Sequence, residues 1–305
     1  MNLPSLRQLR FLVALNDELH FSRAAERCFV TQSTLSSGLK ELEDLLGAPV
    51  AERTRRSVMM TPLGRELAER ARGVLADVGE MVELAQREAG TLRGPLRLGS
   101  IPTIGPFLFP RLMPRLRRDF PELRLYPREE LTESLIEGLR GGRLDVILIA
   151  LPFDIGDLSS ESLFMDGYQL ASTPDHPLAG PDPVHGADLD DETLLLLERG
   201  HCLQRHALAA FPESHARQDE SFAATSLATL IAMVEEGVGI TLLPQLVIDA
   251  GAARHAEIAL TPLEGAWPRE VILAWRKSSA REEDFRVLAQ ILREERDRLR
   301  AEHGA

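Results

Sequence analysis

Apolar residues recur at helical spacing along the first 85 positions. In SLRQLRFLVALNDE, Leu6, Leu9, Phe11, Leu12 and Leu15 fall mainly on one helical face. FSRAAERC follows, with Ser22 as a candidate N-cap. VTQSTLSSGLKELEDLLG predicts a third helix, with Leu35, Leu39, Leu42 and Leu46 on its inner side and Gly47 closing it. APVAERTRRSVMMTPLG reads as two short extended pieces around a basic tip carrying Arg53, Arg55 and Arg56, the shape of a wing. A long helix comes next, with Thr61 as cap and Pro62 in its first turn. Its Leu63, Leu67, Val74, Met81 and Leu84 approximate a heptad, with Ala71 and Val78 on the same seam, which suits pairing with a second copy. Gly90 and the Gly-Pro pair at 94–95 predict a hinge.

From residue 96 the period changes. LRLGS, LRLYPREE and the nearly continuous apolar LDVILIAL read as strands, separated by the helical stretches PFLFPRLMPRLRRDFP and LTESLIEGLRGG. A second set starts near Asp166 with GYQLAS, TLLLLE, SLATLIAMVEEG and GITLLP, and the chain closes with EVILAWR and a charged amphipathic helix. The alternation predicts an α/β domain. Its expected boundaries are a head at 1–61, a linker helix and hinge at 62–93, and an α/β region at 94–305. That region divides into subdomain I, about 94–165 plus 268–305, and subdomain II, about 166–267. Ligands of such sheets bind at the carboxyl ends of strands and at helix N-termini.

The net charge of −12 argues weakly against nucleic acid, but it is unevenly placed. Residues 1–65 hold nine Lys and Arg against seven Asp and Glu, a net of +2, so the remainder carries −14. A mildly basic head on an acidic body predicts that only the head meets DNA. The apolar runs are too short to span a bilayer, and the N-terminus has no signal-peptide pattern. Two cysteines make no disulfide scaffold, so a cytoplasmic location is expected. Hydrolase and P-loop motifs (GxSxG, HExxH, Walker A) are missing, the histidines outside the head and the Cys202 segment are scattered singly, and no enzyme activity, cofactor or metal is expected.

In FSRAAERCFVTQSTLSSGLKELEDLLG, Ala24 and Ala25 let two helices cross closely. Gln32, Ser33, Thr34, Ser36 and Ser37 place short polar groups at the start of the second of these, and Lys40 adds a phosphate-reaching cation. A glutamine there reads adenine through two hydrogen bonds. Arg53, Arg55 and Arg56 suit an adjacent groove or the backbone. These motifs, with LRQLRFLVAL before them and ERTRRSVMMTPLG after, closely resemble the LysR-type transcriptional regulators. The resemblance covers the whole chain; Ser33 departs from it, standing where the family usually has proline. It implies a winged helix-turn-helix, a linker helix and a periplasmic-binding-protein-like regulatory domain of two α/β subdomains. It also implies a homotetramer built as a dimer of dimers on a pseudo-palindromic operator, with RNA polymerase as a further partner.

In LLLLERGHCLQRHALAAF, Cys202 opens what reads as a helix, where free N–H groups and the positive end of the helix dipole favour thiolate. A small buried hydrophobe is the ordinary role of such a cysteine, and local features alone favour it. GSIPTIGPFLFPRLMPRL, LLLLERGHCLQRHALAAF and FAATSLATLIAMVEEGVGITLLP are similar to the peroxide-sensing branch of the LysR family. That resemblance makes Cys202 the peroxide-reactive thiol, puts Thr103, Thr132 and His201 around the peroxide, and places Arg276 as the nearby cation. Phe211 stands where the branch has its resolving cysteine, and Arg205 stands at a usually acidic position, so one cysteine would have to act alone. Cys28 reads as core. The competing expectation is a regulator that takes a small organic acid in the cleft, with Ser100 and Thr103 holding its carboxylate. A third, a thiol peroxidase or thiol hydrolase, is opposed by the wing and the linker helix.

Overall fold

The computed structural model describes residues 3–53, 58–85, 91–190, 192–197, 210–211, 217–218, 224 and 226–303. The chain divides into two units. One is residues 1–89 with 138–143 and 278–280, and the other is residues 90–137, 144–277 and 281–305.

The N-terminal unit runs α1 (Leu6–Glu18), α2 (Phe21–Arg27), α3 (Gln32–Leu46), β1 (Ala51–Arg53), β2 (Val58–Met60) and α4 (Pro62–Ala85). A capping box starts α1: Gln8 N–H donates to the Ser5 hydroxyl, and Ser5 N–H donates to Gln8 Oε1 at 2.9 Å. The expected cap of α2, Ser22, lies inside the helix instead. His20, in extended backbone, is the N-cap, and its Nδ1 accepts from the N–H groups of Ser22 and Arg23 at 3.2 and 3.4 Å. An imidazole nitrogen thus fills the role expected of a hydroxyl. Thr31 caps α3 by accepting from Thr34 N–H, and Gly47 ends it in the left-handed region. Phe11, Leu12, Leu15, Ala24, Ala25, Leu35, Leu39 and Leu42 form the core, joined by Val50 and Met60 from the wing and by Ala68 and Ala71 from α4. The wing strands pair antiparallel, Ala51 opposite Met60. Arg55, Arg56 and Gly90 lie outside the described residues.

Thr61 locks the start of α4. Its hydroxyl accepts from Gly64 N–H at 2.9 Å and donates to the Pro49 carbonyl. Ala68 and Ala71 face inward, whereas Leu63, Val74 and Met81 are exposed. Of the seam, Ala71 and the half-buried Leu67 thus pack on the head, while Leu63, Val74 and Met81 stay at the surface.

In the second unit the first sheet has the order β4-β3-β5-β12-β6: β4 (Leu123–Glu129), β3 (Gly94–Ser100), β5 (Val146–Leu151), β12 (Arg269–Trp275) and β6 (Ser159–Asp166). Strand β3 is parallel to β4 and β5, with α5 (Gly105–Asp119) and α6 (Thr132–Arg140) between them in sequence, while β12 runs antiparallel to both neighbours. Ile147 to Ala150 are fully buried, as the continuous apolar run requires. The second sheet is β10-β7-β11, namely β10 (Thr241–Pro244), β7 (Tyr168–Ser172) and β11 (Ala259–Pro262), with both pairings antiparallel. TLLLLE yields a two-residue strand, β8 (Thr193–Leu194), parallel to β9 (Arg217–Gln218), then a single bridge from Leu197 to Ala224. A 3-10 turn at Gly186–Leu189 and helices α7 (Leu227–Glu235), α8 (Gln245–Asp249) and α9 (Glu282–His303) complete the described elements. The chain leaves the first sheet between β6 and β7 and returns between β11 and β12.

A Cβ added at Gly64 would lie 1.9 Å from the Val50 carbonyl oxygen, whereas one added at Gly79 meets nothing within 4 Å. Gly64→Ala is therefore expected to cost about 1–3 kcal/mol, because backbone must move. Gly79→Ala should stabilise by up to about 1 kcal/mol through helix propensity. Chemical denaturation of the full chain separates the two, and equal responses would refute the close approach.

Candidate functional site

Two sites emerge, one in each unit. On α3, Gln32, Ser36 and Lys40 follow one another at four-residue intervals, and so do Ser33 and Ser37, so these five share the outer face. Gln32, Ser33, Ser37 and Lys40 are exposed, and Thr34 and Ser36 are half-buried. The first turn is ordered internally. The Thr31 hydroxyl lies 2.9 Å from the Ser33 hydroxyl and 2.8 Å from that of Thr34, and the Ser22 hydroxyl donates to Gln32 Oε1 at 2.9 Å. Arg53 ends β1, but its side chain, like Arg55 and Arg56, is outside the description. A helix of this kind, backed by a tightly packed α2 and followed by a two-stranded wing, presents donors and acceptors to a groove of duplex DNA.

The second site lies at the carboxyl edge of the five-stranded sheet. Strands β3 and β4 end side by side, Ser100 opposite Glu129, and Glu130 N–H donates to the Ser100 carbonyl at 3.1 Å. Thr103 follows the end of β3 and Thr132 follows the end of β4, so the two predicted threonines leave adjacent parallel strands at the same edge. Both are almost fully buried. Thr132 Oγ1 has no hydrogen-bond partner among the described residues. A buried hydroxyl in that condition carries an uncompensated desolvation penalty, which a small polar ligand relieves.

The cation at this edge is Arg269, which sequence reasoning missed. Its side chain is 1% exposed and Asp166, its partner, is 0%. Arg269 Nη1 donates to Thr103 Oγ1 at 2.8 Å, Nη2 to the Thr103 carbonyl at 3.3 Å, and Nε and Nη2 to Asp166 Oδ2 at 3.0 and 2.8 Å. The other Asp166 oxygen accepts from Leu246 N–H at the start of α8. Because the Thr103 oxygen accepts from the guanidinium, its own proton is directed elsewhere, as a donor. Arg276, the cation expected here, is not brought to Thr103. It follows Trp275, which pairs with Val146 at the opposite end of β5, and its Nη1 donates to the Leu144 carbonyl. At roughly 3.3 Å per residue, seven strand residues separate the two arginines by about 20 Å. Both flank one apolar strand, and only the strand's direction distinguishes them.

His201 and Cys202 lie outside the described residues. The ends of their segment are described. Leu194 to Leu197 are buried, as is Ala210, whose carbonyl accepts from Trp267 N–H. Phe211 packs on the core of the second sheet, and a Cβ on Gly186 would lie 2.9 Å from its ring. The other cysteine, Cys28, is half-buried beside the head core, with its thiol 3.8 Å from the Arg10 carbonyl. Burial pushes that thiol up from its ordinary pKa, against the opposing pull of Arg10 and Arg27. Among the described residues no cluster of His, Cys, Asp and Glu is placed to hold a metal, and no helix is long and apolar enough to cross a membrane.

A winged helix-turn-helix followed by a long helix and a two-sheet α/β domain defines a DNA-binding regulator with a ligand-responsive body. The family models agree: residues 6–65 match the bacterial regulatory helix-turn-helix protein of the lysR family, and residues 89–297 match the LysR substrate binding domain. The chain belongs to the LysR family of transcriptional regulators. It is 40% identical to the HTH-type transcriptional regulator EstR of Acinetobacter baylyi, over 95% of this chain and 97% of that protein. It is also 40% identical to the DNA-binding transcriptional dual regulator OxyR of Escherichia coli, over 96% of each. Among solved structures, a full-length OxyR variant from Pseudomonas aeruginosa matches with a TM-score of 0.80 at 38% identity, covering 96% of both chains. A hydrogen-peroxide-bound OxyR mutant from Corynebacterium glutamicum matches with a TM-score of 0.67 at 30% identity, covering 100% of this chain and 98% of that one.

Asp166→Asn leaves the Arg269 charge buried without its counter-ion and is expected to cost about 3–5 kcal/mol. Glu66→Gln, at the solvated Arg70 pair, serves as a control with no measurable loss. Urea denaturation of the two variants checks this, and an Asp166→Asn protein as stable as the control would show that the pair is dispensable.

Proposed function

We propose that this protein is a peroxide-responsive transcription factor acting in the cytoplasm, and that Cys202 is its sensor thiol. The observation that carries this reading is the pair of buried threonine hydroxyls at one sheet edge, Thr132 unpartnered and Thr103 oriented as a donor by Arg269. Similarity to hydrogen peroxide-inducible gene activators along nearly the whole chain supports it. Cys202 thiolate attacks one oxygen of hydrogen peroxide. An S–O bond forms, the O–O bond breaks, sulfur is oxidised to sulfenic acid, and the leaving hydroxide is protonated to water. Thr103 and Thr132 orient the peroxide, His201 adds a donor, and Arg269 rather than Arg276 supplies the positive charge. With Phe211 in place of a resolving thiol, the product is a sulfenic acid, a mixed disulfide or an intersubunit disulfide.

DNA is engaged by Gln32, Ser33, Thr34, Ser36, Ser37 and Lys40 on α3 and by Arg53, Arg55 and Arg56 on the wing. The exposed Leu63, Val74 and Met81 of α4 support pairing of two copies, and two such pairs make the homotetramer.

Dilute peroxide is expected to add one oxygen to the full-length protein, trappable by a sulfenic-acid reagent at Cys202, while Cys28 stays unmodified because its thiolate is scarce. Intact mass and peptide mapping check this. If Cys202→Ser still changes its footprint on addition of peroxide, the sensing reading is wrong and an organic-acid effector becomes the better account.

Lys40→Ala is expected to weaken binding to all duplexes and to reduce the dependence of log K on log salt by about one unit, as one fewer phosphate is neutralised. Fluorescence anisotropy over a salt series measures the slope, and an unchanged slope removes Lys40 from the interface.

A further inference from the structure

One hydrogen bond in the head is not explained by packing. Ser22 Oγ donates to Gln32 Oε1 at 2.9 Å, linking the second residue of α2 to the first residue of α3. Neither residue is buried; Gln32 is exposed and Ser22 is half-buried. The bond therefore adds little to the core, but it fixes one long side chain at the tip of α3. The N-cap of α2 does not need it, since His20 accepts from the backbone N–H of Ser22, not from its hydroxyl. The neighbouring hydroxyls of Thr31, Ser33 and Thr34 are engaged with one another, so Ser22 is the group that orients the Gln32 amide.

We infer that Ser22 is a positioning residue for Gln32, holding its amide in one orientation at the tip of α3 so that both ends meet adenine and guanine is disfavoured. An amide recognises adenine by donating to N7 and accepting from N6. The amide oxygen carries two lone pairs, so the bond from Ser22 uses one and leaves the other for adenine N6, while Nε2 donates to N7. Guanine presents two acceptors in the major groove, N7 and O6, and gives that oxygen nothing to accept from. Pinning the side chain in the free protein reduces the conformational entropy lost on binding.

The inference rests on the reading that the first turn of α3 meets bases, and the test separates the two. The full-length protein selects duplexes from a randomised pool, and its affinity is then measured for a selected duplex, for each single-base change in it, and for a scrambled duplex. Gln32→Ala identifies the base pair that Gln32 reads. If that variant binds every duplex like the wild type, Gln32 meets no base and the reading of α3 fails. Otherwise, Ser22→Ala should weaken binding to the selected duplex roughly three- to tenfold, leave the scrambled duplex unchanged, and flatten the preference for adenine at that base pair. In the Gln32→Ala background, Ser22→Ala should have no further effect, and Ser22→Thr, which keeps the hydroxyl, should restore the preference. The thermal midpoint of Ser22→Ala should match the wild type, which excludes loss of fold. An equal loss on both duplexes, additive effects in the double variant, an unchanged base preference, or guanine preferred by the wild type would each overturn the inference.

Discussion

The regulatory domain depends on one buried ion pair. Arg269 begins β12 and Asp166 ends β6, so the pair sits where the chain passes between the two sheets in both directions. The carboxylate also holds the first turn of α8, and the guanidinium also holds Thr103 on both its hydroxyl and its carbonyl. Crossover, helix terminus and pocket threonine thus share a single hydrogen-bonded node. Such a pair contributes little net stability relative to an apolar filling, but it fixes geometry, because any displacement leaves a charge unpaired away from water. A second node repeats the device. Arg296 of α9 meets Asp249 at 2.6 Å, Asp249 accepts from Gln245, and Gln245 accepts from Gln169 of β7. The five-residue helix α8, too short to be stable alone, is tethered at each end by one of these nodes.

Legibility in the sequence followed the strength of the local signal. The head was readable because helix period, caps and turn residues agree there: Leu35, Leu39 and Leu42 point inward, Thr61 caps α4, and Gly47 takes a backbone that side chains avoid. The His20 cap was not, since imidazole is an uncommon cap and Ser22 stood two residues on with a better one. Strand β6 escaped notice because it is an edge strand whose polar SSES half packs on one side only. The second sheet reads as strands, but nothing local to GYQLAS or GITLLP specifies direction, and direction is what makes this sheet antiparallel. The same blindness displaced the pocket cation: Arg269 and Arg276 bracket EVILAW equally, and only the register with β5 tells which end lies beside Thr103. Thr103 and Thr132 came from the family resemblance; alternation reveals only that they follow the carboxyl ends of parallel strands, where the structure has them buried.

In the head, order extends to the surface. The residues facing outward from the first turn of α3 are already hydrogen-bonded to one another or to α2, so the recognition face is rigid before DNA arrives. Outward from α4, the large apolar Leu63, Val74 and Met81 stand among charged residues such as Glu66 and Arg70, with Met81 70% exposed. One face is thus prepared for a polar, directional partner and the other for an apolar, forgiving one.

The seat of Phe211 constrains the evolutionary history of the chain. Its ring rests where the Cβ of any residue other than glycine at 186 would be, so the two positions are matched in volume. A single change of Phe211 to cysteine would give back a second thiol beside the Cys202 segment, but it would leave a gap above Gly186 and a loss on the order of 2 kcal/mol. A single change at Gly186 would collide with the ring. Each step alone is disfavoured, so the two positions are coupled by packing, and any route to a second cysteine at 211 passes through a weakened intermediate.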